Sequence, residues 1–274
     1  MPIDDARAGG EVSAGVSLID THCHLNHPRL LRGLPDVLAR ARAAGVAAAI
    51  VVGYDLPSSR KAVELAEGHS DIWAAVGVHP HDAAEVGQDD LSEIRALARS
   101  ERVVAIGETG LDFYRNLSPR PAQEKAFSEH LALAAELGLP AIVHCREAQE
   151  EVLAALESDM PPSPVIWHCF AGTLDQARRA LDLGLFLGFG GRVTYRSADE
   201  LRSVAAHISA DSILLETDCP YLAPEPKRGR DNEPANLVAI AEAMAAIRGD
   251  EGEAFMATTS ENALRVFGLN RARP

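Results

Sequence analysis

The chain has 274 residues, and its 26 Lys and Arg against 40 Asp and Glu leave a formal charge of −14 at pH 7. Such an acid excess excludes a protein that coats nucleic acid through a basic surface. With 47% hydrophobic and 24% charged residues, the chain is of the folded globular type, neither disordered nor collagen-like nor coiled coil, and long enough for one large α/β barrel or two smaller domains.

Residues 1–15 form an acidic, glycine-bearing stretch without a basic or hydrophobic leader region, and read as a flexible tail. Beyond it, short apolar runs alternate with Ala/Leu-rich stretches at helical spacing. The first strand is predicted over 16–20, and a helix over 35–44 passes through Gly45, a helix stop, into a strand over 46–52. A helix over 58–67 precedes a strand over 72–78, and one over 91–98 precedes a strand over 103–106. The long helix over 122–137 ends at Gly138 and feeds a strand over 141–144, while a helix over 148–157 leads through a proline-rich turn to a strand over 165–168. Helices over 174–183 and 199–206 precede strands over 185–188 and 213–216, and helices over 235–247 and 253–267 close the chain. Eight such units of about 30 residues come to roughly 240, the length of a (β/α)8 TIM barrel, which is the favoured α/β architecture. A doubly wound open sheet gives the same alternation. No linker divides residues 16–274, so a single barrel domain is expected.

No apolar run approaches the roughly 20 residues of a bilayer span, so no membrane partner and a cytoplasmic location are expected. Cys23, Cys145, Cys169 and Cys219 are scattered without CxxC pairing, and read as reduced, buried small hydrophobes.

The metal-capable side chains fall at or just beyond predicted strand ends, which a barrel brings to one mouth. His22 and His24 sit two apart on an extended segment, so both imidazoles face one side and Cys23 the other. Glu108 follows the fourth strand, His144 ends the fifth, His168 ends the sixth and Asp218 follows the eighth. Four imidazoles and two carboxylates suffice for two divalent ions if one carboxylate bridges. Glu108 is the natural bridge, with His22, His24 and Asp218 on one ion and His144 and His168 on the other. His27, His69, His130 and His207 read as ordinary structural histidines.

Asp-Thr-His-Cys-His-Leu at 20–25, Gly-Val-His-Pro-His at 77–81 and Gly-Glu-Thr-Gly-Leu-Asp-Phe-Tyr-Arg at 107–115 carry a clear resemblance, continued by His-Cys-Arg at 144–146, His-Cys-Phe-Ala-Gly at 168–172 and Glu-Thr-Asp-Cys-Pro-Tyr-Leu-Ala-Pro at 216–224. The chain resembles the TatD family of metal-dependent hydrolases, within the amidohydrolase-like superfamily, from about Ser17 to Phe267. The resemblance implies a TIM barrel, a two-metal site at the positions of His22, His24, Glu108, His144, His168 and Asp218, and a deoxyribonuclease activity in several members. Where many amidohydrolases bridge their metals with a carbamylated lysine, this chain offers a glutamate.

The expected chemistry is two-metal hydrolysis of DNA phosphodiesters, proceeding as an exonuclease from a strand end. The ions acidify water and neutralise phosphoryl charge, and Asp218 and Glu108 are the expected catalytic carboxylates. Asp218 holds the attacking water and accepts its proton. Glu216 shares a strand face with Asp218 and either orients a ligand histidine or caps the barrel interior, and Asp112 is also expected in a supporting role behind the ligands. His79 and His81 either reach a substrate phosphate or hold their loop by hydrogen bonds. Arg146 and Arg230, with Arg115, Lys227 and Arg228, are expected near the mouth as phosphate contacts. Two dications offset the local carboxylates, which favours a single strand or a frayed DNA end over extended duplex. The alternative is hydrolysis of a small ester, amide or lactone by the same site. Zinc, manganese and magnesium all suit the donors, and a monomer is expected.

Overall fold

The computed structural model describes residues 17–269, so the tail expected over 1–15 lies outside the described residues. Every predicted apolar run forms a strand. In chain order the elements are β1 (Leu18–Cys23), α1 (Pro28–Leu31), α2 (Leu34–Ala43), β2 (Val46–Val52), α3 (Leu56–Gly68), β3 (Ile72–Val76), α4 (Gln88–Leu97), β4 (Val103–Asp112), α5 (Arg120–Leu137) and β5 (Ala141–Arg146). They continue with α6 (Gln149–Ser158), β6 (Val165–Trp167), α7 (Leu174–Asp182), β7 (Phe186–Phe189), α8 (Asp199–His207), β8 (Ile213–Leu215), α9 (Leu237–Arg248) and α10 (Gly252–Phe267). The strands run in the order β1 to β8, each parallel to the next. The ring returns to β1 through Thr21, whose hydroxyl donates to Leu215 O at 3.0 Å, and through the backbone of Asp218, which donates to His22 O at 2.8 Å. These bonds decide for a closed TIM barrel over an open sheet.

Alternation along the strands sorts the apolar residues into two clusters. Ile19, Ile50, Val104, Ile142, Ile166 and Leu214 fill the barrel interior and are plugged by Ala263, Val266 and Phe267 of α10. Their sequence neighbours, among them Leu18, Val51, Val103, Val143, Trp167 and Leu215, pack outward with the helix shell. The same phase places the site. His144 stands two residues beyond Ile142, His168 two beyond Ile166, and Glu216 and Asp218 two and four beyond Leu214, so all share the parity of the interior and stand above it.

Strand β4 breaks this rule usefully. Val104 and Ala105 both join the inner cluster while Val103 and Ile106 join the outer one, so alternation is already broken there, and counted on from Ile106 it would turn Glu108 outward. A register shift between Ile106 and Thr109 resets the phase. Gly107 lies at φ +147°, and a Cβ there would press on the backbone of Ile142, so this irregularity requires glycine. The strand then continues to Asp112, six residues past its predicted end at residue 106.

Candidate metal centre

The Nε2 atoms of His22 and His24 lie 3.3 Å apart at the mouth, while the Cys23 thiol points the other way and donates to Ile50 O. Asp218 Oδ1 is 3.3 Å from His24 Nε2 and 4.0 Å from His22 Nε2. Glu108 stands between two groups of imidazoles. Its Oε2 is 3.5 Å from His22 Nε2 and 3.8 Å from His24 Nε2. Its Oε1 is 2.9 Å from His144 Nδ1, 3.1 Å from His168 Nε2 and 3.7 Å from His79 Nε2. The structure therefore brings all six expected ligand residues together.

The donor set fits divalent cations. Nitrogen and oxygen ligands held about 2.0–2.2 Å from one ion are themselves about 3–4 Å apart, the separation seen among His22, His24, Asp218 and Glu108. A second group of donors, from His79, Glu108 and His144, lies within 4.8 Å of one another. His79 is thus drawn into the cluster, which the sequence left between a phosphate contact and a loop bond. Its Nδ1 also accepts the His81 backbone N–H at 3.1 Å.

Charge within the cluster is tightly balanced. Burial pushes the Glu108 carboxyl up, but the pull of His168 and His79 and hydrogen bonds from His144 and His168 hold it well below the carboxylate range. Burial disfavours charge on the imidazoles too, yet Glu108 and Glu216 draw a proton onto His168 and set it well above its ordinary value. Against the same burial, Asp218 and Glu108 raise His24, and Asp112 and Glu108 raise His144. His22 and His79 are lowered, first by burial and then by neighbouring imidazoles.

Two carboxylates brace the imidazoles. Buried Asp112 places Oδ2 2.9 Å from His81 Nε2 and 3.3 Å from His144 Nε2, and its Oδ1 accepts the Arg115 backbone N–H at 2.8 Å. Glu216, also buried, accepts the Cys169 backbone N–H at 2.6 Å and lies 3.3 Å from His168 Nδ1. Its room comes from Gly188, where a Cβ would collide with the Glu216 carboxylate.

Asp20 escaped the sequence reading although it opens the first motif. It is fully buried and accepts the Thr217 backbone N–H at 2.9 Å and the Thr217 hydroxyl at 2.6 Å, tying the end of β8 to β1 beneath Asp218. Burial pushes its carboxyl up to about 7, against those two bonds. His130 and His27 are structural as expected: His130 Nε2 accepts the Val78 backbone N–H, and His27 caps α1.

The cations are looser. Arg146 is exposed at the end of β5 with its guanidinium 3.9 Å over the Tyr114 ring. Arg230 is exposed in the loop after β8, and among the described residues its side chain joins none of the cluster's contacts. Lys227 is spent on Asn236, to whose side-chain oxygen its ammonium donates at 2.7 Å.

Comparison with known proteins supplies a family. Residues 19–268 match the family described as TatD related DNase. The chain is 45% identical over 246 residues to the 3'-5' ssDNA/RNA exonuclease TatD of Cronobacter sakazakii, covering 87% of this chain and 93% of that one. It is 40% identical to the uncharacterized metal-dependent hydrolase YabD of Bacillus subtilis, covering 92% of this chain and all of the relative. The crystal structure of YJJV, a TatD homolog from Escherichia coli, superposes with a TM-score of 0.86 at 30% identity, covering 92% of this chain and 98% of that one. The match spans the whole barrel and every motif that supplies the cluster, and the chain therefore belongs to the TatD related DNase family.

Proposed function

We propose that this chain is a divalent-metal-dependent exonuclease that removes nucleotides from the end of a single DNA strand, as the name of its Cronobacter relative suggests. The observation that carries the reading is the division of Glu108, one oxygen toward His22 and His24 and the other toward His79, His144 and His168. In this reading His22, His24 and Asp218 would hold one ion and His144 and His168 a second, with Glu108 available to both. When bound, such ions supply positive charge to the phosphoryl oxygens and acidify water.

Asp218 then holds the attacking water through its carboxylate and takes its proton. That carboxyl is kept below its ordinary value by His24, His168 and His22 despite burial, so it is ionised at neutral pH. Asp112 and Glu216 keep His144 and His168 turned inward. No observation favours the small-ester alternative: a cavity of about 300 Å³ lies between α5 and α6, but Glu124, Glu151 and Asp159 line it beside Leu111, Phe127 and Leu131, and none of the cluster's residues does.

The test is a metal-reconstituted assay on end-labelled single- and double-stranded DNA beside a panel of chromogenic esters. The expected result is stepwise shortening of the single strand, abolished by chelation, with Asp218→Asn retaining substrate binding but losing most turnover. Ester hydrolysis without DNA shortening, or near-normal turnover in the Asn variant, refutes the reading.

A further inference from the structure

Among the described residues, the large hydrophobic side chains left exposed are Tyr114, Leu117 and Tyr221, at 55%, 64% and 44% exposure. All three stand on loops at the mouth, after β4 or β8. Tyr221 lies beside the cluster, its ring centroid 6.1 Å from that of His24 and 5.8 Å from that of His27. The Arg29 guanidinium is 5.0 Å from the ring centre and is anchored by Asp231 at 2.6 Å. Tyr114 follows Asp112 by two residues and carries Arg146 at 3.9 Å over its ring.

In a ring of strands ordered β1 to β8, the β8–β1 seam and the β4–β5 pair are on opposite sides. Two tyrosine–arginine pairs therefore flank the histidine–carboxylate cluster across the mouth. A ring with a guanidinium against it offers a nucleobase a face to stack on and its backbone a charge. Only unpaired bases expose a face for this contact, and such stacking tolerates any sequence.

The geometry points to two base-stacking platforms, Tyr221 with Arg29 and Tyr114 with Arg146 and Leu117, which grip unpaired bases on either side of the reacting phosphate. The inference rests on the nuclease reading and adds the residues that select single strands. It also accounts for exposed rings that hydrolysis of a small ester would not require.

The experiment compares KM and kcat of the metal-supplied wild-type chain, Tyr221→Ala, Tyr114→Ala and the matching Phe variants on a single-stranded oligonucleotide and on the same oligonucleotide with abasic terminal nucleotides. Each Ala variant is expected to raise KM on the base-bearing strand between about 5-fold and about 150-fold, with kcat changed less, and Phe to restore it to within about 3-fold. On the abasic strand wild type and Ala variants converge, because nothing is left to stack. Unchanged KM in the Ala variants, failure of Phe to restore it, or an equal loss on the abasic strand overturns the platforms while leaving the nuclease reading intact. Failure of the wild-type chain to shorten either strand overturns both.

Discussion

Glu108 does more than add one negative charge to the site, because its two oxygens serve different imidazoles and its burial makes each contact strong. That these six residues meet was legible because each falls at or just beyond a predicted strand end, which a barrel brings to one mouth; the phase of Glu108 was not, since a register shift between Ile106 and Thr109 sets it. The inward turn of His79 was not, since it follows from the Pro80 turn and from the bond His81 makes to it. Asp20 was missed because a buried carboxylate that braces a neighbouring strand leaves no periodic mark. The proton balance makes a prediction. His24, His144 and His168 are raised above the ordinary imidazole value of 6.5, so protons compete with a divalent ion for these imidazoles at higher pH than they would for a free histidine. Metal affinity should weaken as pH falls toward and below about 6.5, and binding at pH 7 should release protons. Calorimetry in two buffers of different ionisation enthalpy measures that release, and an affinity indifferent to pH contradicts it.

At the scale of elements, conformational strain gathers where the chemistry is. The non-glycine residues with positive φ among those described are Asn116, Glu147, Cys169, Asp218 and Leu222, and each lies on a loop at the mouth after β4, β5, β6 or β8. Such conformations persist only where surrounding contacts impose them, as the bond from Asp218 N–H to His22 O does here. The strands themselves were readable from apolar runs, and helix ends from residues such as Gly138, which takes φ +63°. The length of β4 was not readable, because its phase reset rests on close packing of Gly107 against β5. Packing of this kind also predicts the effect of Gly188→Ala. The added methyl must displace the Glu216 carboxylate, which loosens Cys169 and His168. A loss of about 1–3 kcal/mol of stability in denaturant unfolding is expected from overpacking, together with reduced metal content. Wild-type stability and metal content would show that Glu216 is free to move.

The whole molecule sets an acidic barrel against an anionic substrate. The charge of −14 gives no long-range attraction to DNA, so binding must come from the few cations at the mouth, from bound ions and from stacking. The sequence could not choose between barrel and open sheet by alternation alone; closure depends on contacts between β1 and β8, 194 residues apart at the Thr21–Leu215 bond. Few phosphate contacts imply weak salt dependence. If about three phosphates or fewer are engaged, the logarithm of affinity for a single strand should fall with the logarithm of salt at a slope of about −2 or shallower. A slope several times steeper would mean that an extended basic track has been overlooked.

The direct test is metal counting on purified protein reconstituted with a divalent cation, wild type beside Glu108→Ala. Two ions per chain in the wild type and one or none in the variant are the outcome expected of a carboxylate shared by both halves of the cluster. An unchanged count in the variant would contradict it.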